Sequence, residues 1–119
     1  MSNRQDLGRA GEEVALGFLS AQGWQCVGRR VRSRYGEIDL AGEEEDELVF
    51  VEVKTRASVR CGAPEEAWTK EKRRRLWKTA ACLLASRPGV RFRFDLVVVR
   101  VGKGEISVRR YRNVLGRWA

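Results

Sequence analysis

The 119-residue chain has the usual length of one domain, so we expect residues 1–119 to form a single domain with its own core. Its hydrophobic fraction of 43% and charged fraction of 34% are typical of a globular protein and argue against a disordered tail or a coiled coil. No segment approaches the roughly 18 apolar residues of a membrane helix, and Met1 to Leu7 has no apolar signal core. We therefore expect a cytoplasmic protein with no membrane partner.

The charge of the chain indicates a polyanionic partner. Lys and Arg number 24 against 16 Asp and Glu, and the chain has no His, so its formal charge is +8. Nucleic acid is the natural polyanion, although many basic proteins bind it only non-specifically. Cys26, Cys61 and Cys82 are too far apart for a CxxC pair, and without His a mixed zinc site lacks its commonest partner, so we expect reduced, structural thiols.

The first element is an amphipathic helix from Asp6 to Gln22. Its apolar residues recur at spacings of three and four. Asp6 is the predicted N-cap, because a carboxylate accepts a hydrogen bond from a free amide at a helix start. Gly23 ends the helix, since glycine readily takes the left-handed conformation there.

Three strands follow, at Trp24 to Arg32, Gly36 to Ala41 and Leu48 to Lys54. The acidic run from Gly42 to Glu47 is too polar to bury and short enough for a hairpin connection. The second and third strands should therefore pair antiparallel.

A second helix is predicted from Pro64 to about Ser86, basic in its first half and apolar in its second. Trp68 and Trp77 lie in or near it; they could stack on unpaired bases, but helical spacing favours packing against the sheet. Val90 to Val101 and Glu105 to Tyr111 form a second hairpin. The order α-β-β-β-α-β-β describes one mixed α/β domain.

Carboxylates on the second and third strands should meet. Because side chains alternate along a strand, Glu37, Asp39 and Ala41 share one face, Ile38 and Leu40 share the other, and Glu52 and Lys54 point the same way. A turn centred between Glu44 and Glu45 pairs Ala41 with Leu48 and leaves Asp39 diagonal to Glu52, at roughly 7 Å or less. Sliding the register by two residues sets Asp39 directly opposite Glu52.

Two carboxylates so close repel each other unless a cation lies between them. Mg²⁺ commonly takes one or two carboxylates together with water and substrate phosphate. Lys54 could then orient a water or neutralise charge on a phosphoryl oxygen, and the implied reaction is phosphodiester hydrolysis. The alternative is a solvated strand face on which Lys54 merely pairs with Glu52.

Asp39 followed by Glu52-Val53-Lys54 resembles the D…(D/E)-x-K signature of the PD-(D/E)xK nucleases. Three further strings, Gly8-Arg9-Ala10-Gly11-Glu12-Glu13, Gly36-Glu37-Ile38-Asp39-Leu40 and Phe94-Asp95-Leu96, together with Lys72, resemble the bacterial YraN family, which is similar to archaeal Holliday-junction resolvases. Ile38 stands where the superfamily has proline.

The YraN resemblance implies a restriction-endonuclease-like mixed sheet flanked by helices and a Mg²⁺- or Mn²⁺-dependent nuclease acting on structured or branched DNA. It implies Asp39, Glu52 and Glu12 as metal-binding acids and Lys54 as the catalytic lysine. On the helical wheel Glu12 and Glu13 are equally placed, so Glu12 rests on the motif alone. Resolvases of this fold act as dimers, so a homodimer is expected.

Nucleic-acid contacts are predicted at Arg30, Arg32 and Arg56, which flank these acids in sequence, and at Lys72 and Arg73 in the second helix. The alternative for most of the basic residues is a solvated, basic helix face. No helix combines Asn or Gln with Arg in a base-reading pattern, so recognition of backbone or branched shape is expected. Glu37 and Asp95 remain open, the first as ligand or exposed acid and the second as structural or functional. A second hypothesis is a non-catalytic nucleic-acid-binding accessory protein with a nuclease-like fold.

Overall fold

A computed structural model of the protein describes residues 4–57 and 69–116, which form a five-stranded mixed sheet with two helices. The elements are α1 Arg4–Ala21, β1 Gln25–Ser33, β2 Gly36–Glu44, β3 Glu47–Arg56, α2 Lys70–Leu84, β4 Phe92–Gly102 and β5 Glu105–Tyr111. The strands lie in sequence order across the sheet; β3 and β4 are parallel and the other neighbours are antiparallel. The predicted α/β class and element order are confirmed.

Each face of the sheet carries one helix and one apolar cluster. On the α1 face, Leu19 packs with Trp24, Val51 and Val97. On the α2 face, the cluster contains Leu76, Ala80, Ile38, Phe50 and Phe94. A sheet covered on both sides needs apolar residues at nearly every central position, which explains the continuous apolar run of β3.

The helix ends differ from the prediction. The α1 helix begins at Arg4, so Asp6 lies within its first turn rather than at the N-cap. The described part of α2 begins at Lys70, and the Thr69 side chain caps it by accepting a hydrogen bond from the Lys72 amide at 3.1 Å. The predicted start at Pro64 and the neighbouring Trp68 lie outside the described residues.

Trp77 packs against the sheet, as its helical spacing predicts. Its ring centroid lies 5.4 Å from that of Phe92 and 5.3 Å from that of Phe94. Cys26 and Cys82 are free thiols and both are exposed; Cys61 lies outside the described residues. Within the described part of the chain, neither helix has the length and apolarity needed to cross a membrane.

A two-residue turn sets the register between β2 and β3. Glu45 and Asp46 have φ of 49° and 64°, the left-handed conformation that a tight hairpin turn needs at both central positions. Ala41 consequently pairs with Phe50, and Leu40 with Val51. This is the second of the two predicted registers, displaced by two residues from the one that pairs Ala41 with Leu48.

The prediction that the acidic run stays unburied was wrong at Glu44, whose exposure is 6%. Its Oε1 lies 2.7 Å from guanidinium nitrogens of both Arg93 and Arg110. Asp95, fully buried on β4, binds the same two arginines at 3.0 and 2.8 Å. Arginines from β4 and β5 therefore neutralise acids that would otherwise be too costly to bury.

The predicted alternation along β2 was also wrong, because the strand changes face at Asp39. Arg29 pairs with Leu40 and Val31 with Ile38, while Arg30 and Asp39 do not pair, and Arg30 has a φ of 49°. As a result Ile38 packs on the α2 face and Leu40 on the α1 face. Asp39 thus has no regular partner on β1, although the ladder keeps the same register on both sides of it.

The Glu44 ion pairs should make the protein acid-sensitive. Hydrogen bonds from Arg110, and then from Arg93, lower the pKa of Glu44 from 4.5 to about 2. A folded pKa below the unfolded value gives stability that is complete above pH 4.5 and is lost as pH falls toward 2. In urea unfolding, Glu44→Gln should lower stability at pH 7 and flatten the decline between pH 4.5 and 2.5. Glu45→Gln, at the exposed turn, is the matched control; an unchanged acid slope in Glu44→Gln would contradict the assignment.

Candidate metal centre and nucleic-acid site

Asp39 and Glu52 meet where β2 separates from β3. The last pair of the β2–β3 ladder is Leu40 with Val51, and one further step along both strands leads to Asp39 and Glu52. The two carboxyl groups are near enough for the charge of Glu52 to oppose ionisation of Asp39. Asp39 Oδ2 also accepts a hydrogen bond of 2.8 Å from the Val53 amide. The predicted convergence of these two acids is therefore present in the fold.

Asp39 lies in an environment that opposes its ionisation. Burial is the main cause, followed by the charge of Glu52, and together they raise the pKa of Asp39 to about 7 although the Val53 amide partly offsets them. Glu12 raises it further through its charge. No salt bridge among residues 4–57 and 69–116 involves Asp39, although Lys54 is near enough for the two opposite charges to attract each other.

Two lysines approach Glu52 instead. Its Oε1 lies 3.4 Å from Lys72 Nζ and 3.8 Å from Lys54 Nζ. Burial lowers the pKa of Lys54, and the adjacent Lys72 lowers it further. Lys54 comes from the same strand as Glu52, and Lys72 from the first turn of α2, so strand and helix together place two ammonium groups beside the acids.

Glu12 reaches this region because α1 crosses close to β3 at Gly11. A β-carbon at Gly11 would overlap the Thr55 side chain, so only glycine permits this approach. Glu12 is 7% exposed, and its Oε1 lies 3.0 Å from Arg29 and 3.4 Å from Arg30. Glu12 is thus near enough to influence Asp39 electrostatically but is held by two arginines.

The donor set suits a hard divalent cation only in part. Within the two described segments, no three His, Cys, Asp or Glu side chains lie close enough together to hold a metal ion. Asp39 and Glu52 alone are still sufficient for Mg²⁺, which usually keeps several waters and takes one or two carboxylates plus phosphate. Glu12 would join them only after leaving its arginines.

The structure separates the five predicted nucleic-acid residues. Lys72 contacts Glu52, and Arg30 contacts Glu12. Arg32 is exposed and pairs with Glu37 at 3.3 Å. Arg56 is partly buried at the end of β3, and Arg73 is exposed on α2. Of the five predicted residues, Lys72 is the one that contacts Glu52.

Glu37 and Asp95, the two acids whose roles the sequence left undecided, differ in their surroundings. Glu37 is exposed and paired with Arg32, as expected for a surface acid. Asp95 is fully buried, and it accepts hydrogen bonds from Arg93, Arg110 and the Asn113 amide. The contacts of Asp95 are therefore those of a residue that stabilises the fold.

Sequence reasoning missed a cleft beside Glu52. Tyr35 and Gly36 line one side, and Arg75 and Thr79 of α2 line the other, with Lys72 next to Glu52. Arg75 lay within the recognised basic stretch, but the polar turn around Tyr35 gave no helical or strand pattern by which to place its ring. Only the packing of this turn against α2 brings these residues together.

Similar known proteins identify the family of the chain. Residues 11–99 match the family described as "Uncharacterised protein family UPF0102". The chain belongs to the UPF0102 (YraN) family. A UPF0102 protein of Symbiobacterium thermophilum is 46% identical over 117 residues, covering 95% of this chain and 97% of its own.

Two further UPF0102 proteins align over most of their length. One from Rhodococcus opacus is 44% identical and covers 87% of this chain and 90% of its own. One from Syntrophomonas wolfei is 41% identical, with 92% and 96% covered. The family resemblance deduced from the motifs is confirmed; the relatives' names describe no activity.

The contact between Gly11 and Thr55 should be sensitive to a single methyl group. Gly11→Ala is expected to lower the free energy of unfolding by about 1–3 kcal/mol, because the added carbon overlaps Thr55. Gly17→Ala is the matched control: it lies in the same helix with open space around it, so higher helix propensity should make it neutral or stabilising. Urea unfolding measures both. Equal changes in the free energy of unfolding for the two substitutions would show that the packing of α1 on β3 does not require glycine at position 11.

The raised pKa of Asp39 predicts a stability cost at alkaline pH. Its folded pKa of about 7 exceeds the ordinary value of 3.8, so the folded state holds the proton more tightly and loses stability as pH rises through that interval. Without divalent cations, Asp39→Asn should be more stable than wild type at pH 8 by more than about 1 kcal/mol, and nearly equal to it at pH 4. Glu43→Gln, an exposed acid on the same strand, serves as control. If the difference in stability between Asp39→Asn and wild type does not grow with pH, the raised pKa of Asp39 is contradicted.

Proposed function

We propose that the protein is a Mg²⁺- or Mn²⁺-dependent nuclease that hydrolyses phosphodiester bonds in structured or branched DNA. The observation that carries this proposal is that the half-buried Asp39 carboxyl lies beside Glu52 and itself enters no salt bridge among the described residues. Such a pair is costly unless a cation resolves the repulsion, and strongly perturbed carboxyls in a cleft are characteristic of functional sites. The resemblance to D…(D/E)-x-K nucleases supports the same assignment.

In this proposal Asp39 and Glu52 hold the metal, and Glu12 is a further candidate. When bound, the metal supplies Lewis-acid polarisation of a phosphoryl oxygen and a more acidic water. The Val53 amide donates a hydrogen bond to Asp39 Oδ2. This hydrogen bond helps to fix the orientation of the Asp39 carboxyl.

The two lysines act on the phosphate. Lys54 and Lys72 both lie within 4 Å of Glu52, so each is within a side-chain length of a phosphate next to the acids. Burial and the neighbouring ammonium lower the pKa of Lys54, and an approaching phosphate would relieve the repulsion between these two cations. Lys54 therefore stabilises charge that develops on the phosphoryl oxygens, and Lys72 positions the scissile or neighbouring phosphate.

The substrate preference follows from the kind of basic residue near the site. The α2 helix has five Lys or Arg in its first six residues but no Asn or Gln, so its contacts suit phosphates rather than base edges. DNA is proposed on the basis of charge and of the resolvase resemblance. The homodimer implied by that resemblance belongs to the same proposal.

A specific observation favours a second candidate, a non-catalytic nucleic-acid-binding accessory protein. Glu12 is paired with Arg29 and Arg30, and no three ligands converge within residues 4–57 and 69–116. If these arginines never release Glu12, the fold would bind DNA without cleaving it. Cleavage assays distinguish this candidate from the nuclease.

The nuclease proposal predicts loss of cleavage when the negative charge of Asp39 or the positive charge of Lys54 is removed. With Mg²⁺ or Mn²⁺, wild-type protein should nick junction, flap, single-stranded or duplex DNA, and Asp39→Asn and Lys54→Ala should each lower the rate by at least about 100-fold. Calorimetric titration should detect metal binding to wild type but not to Asp39→Asn. Glu43→Gln should leave both unchanged.

Equal cleavage by wild type and Asp39→Asn would identify a contaminating nuclease and refute the assignment. Tight junction binding with no metal uptake and no cleavage would favour the accessory protein.

A further inference from the structure

A cleft of about 310 Å³ adjoins Glu52 between the β1–β2 turn and α2. Tyr35 and Gly36 form one wall, and Lys72 and Arg75 line the other. The volume lies at the lower end of the 300–1,000 Å³ typical of small-molecule sites. It suits one nucleotide rather than a longer segment.

The turn that carries Tyr35 is anchored to α2. Ser33 Oγ accepts a hydrogen bond from the Tyr35 amide at 3.0 Å and bonds the buried Thr79 hydroxyl at 3.2 Å. Gly36 has a φ of 149° and lies against Thr79, a conformation that glycine adopts without strain. The position of Tyr35 is therefore set before any ligand binds.

Positive charge surrounds the Tyr35 ring. Arg34 donates a hydrogen bond of 2.9 Å to the Tyr35 hydroxyl, and the Arg34 guanidinium carbon and Lys78 Nζ lie 5.0 Å and 5.2 Å from the ring centroid. Both side chains are exposed, so a base that stacks on the ring displaces them toward the phosphates. Arg75 is exposed and enters no ion pair with any residue in the described part of the chain. The side chains of Arg34, Arg75 and Lys78 are long and exposed, so their charged groups can reach phosphate oxygens.

The geometry points to a nucleotide subsite: we propose that Tyr35 stacks on an unpaired base next to the phosphate held at Asp39 and Glu52, while Lys72 and Arg75 hold the flanking phosphates. In a duplex both faces of a base are covered by its neighbours, so only an unpaired or splayed base offers a face to the ring. The inference rests on the proposed nuclease function and names its substrate class, which is DNA with an unpaired nucleotide beside the cleaved bond.

Binding without divalent cations tests the subsite independently of catalysis. Fluorescence anisotropy in EDTA compares two labelled duplexes that differ only at one bulged position, which is either an adenine nucleotide or an abasic residue. Wild type and Tyr35→Phe should bind the adenine bulge at least about 5-fold more tightly, the lower range expected for base–aromatic stacking. Tyr35→Ala should bind the two duplexes equally.

Two control variants separate stacking from general weakening. Tyr111→Ala removes a tyrosine on β5, outside the cleft, and should retain the preference for adenine. Arg75→Gln should weaken binding to both duplexes alike and reduce the salt dependence, because it removes a phosphate contact.

Equal affinity of wild type for the two duplexes would overturn the subsite even if the protein cleaves DNA. A preference that persists in Tyr35→Ala would also overturn it, since the base must then bind elsewhere. A Tyr35-dependent preference in a protein that cleaves no DNA with any divalent metal would uphold the subsite and refute the nuclease proposal.

Discussion

The register of the β2–β3 hairpin is the constraint on which the candidate site depends. A shift by one residue would move every side chain of β3 to the opposite face, and a shift by two would move Asp39 from the position opposite Glu52 to a diagonal one. The turn that sets this register places Glu45 and Asp46 in left-handed conformations, which cost roughly 1–2 kcal/mol per residue. Arg93 offsets this cost because it binds Glu44 and Glu47, the residues on either side of the turn, each at 2.7 Å.

Glu44, which is buried, and Asp39, which is half-buried, lie in opposite electrostatic environments. At the hairpin end of the sheet, Glu44 is surrounded by guanidinium groups, and its pKa falls to about 2. At the other end, burial and Glu52 raise the pKa of Asp39 to about 7. A buried carboxylate that serves only the fold is normally paired, as Glu44 is. The contrast within one small sheet supports the role of Asp39 in the proposed metal site.

Sequence patterns predicted the parts of the fold that depend on local periodicity. The order of elements, the pairing of β2 with β3 and the packing of Trp77 followed from spacing alone. The burial of Glu44 was not predictable, because the arginines that permit it lie 49 and 66 residues further along the chain. The change of face at Asp39 was missed for a similar reason: it depends on Arg30 in the neighbouring strand, an arginine in a conformation that non-glycine residues rarely adopt.

The candidate site also depends on where pairing stops. The ladder between β2 and β3 ends at Leu40 and Val51, whereas β3 continues to pair with β4 as far as Arg56. The part of β3 that carries Glu52 and Lys54 is therefore stabilised from one side and open on the other. Asp39 satisfies one of the exposed amides, at Val53, and the β1–β2 turn and α2 form a cleft around the opening. Pairing of β2 with β3 beyond Leu40 would occupy the open side of β3, so the end of this ladder leaves Glu52 and Lys54 accessible for the metal and phosphate of the proposed function.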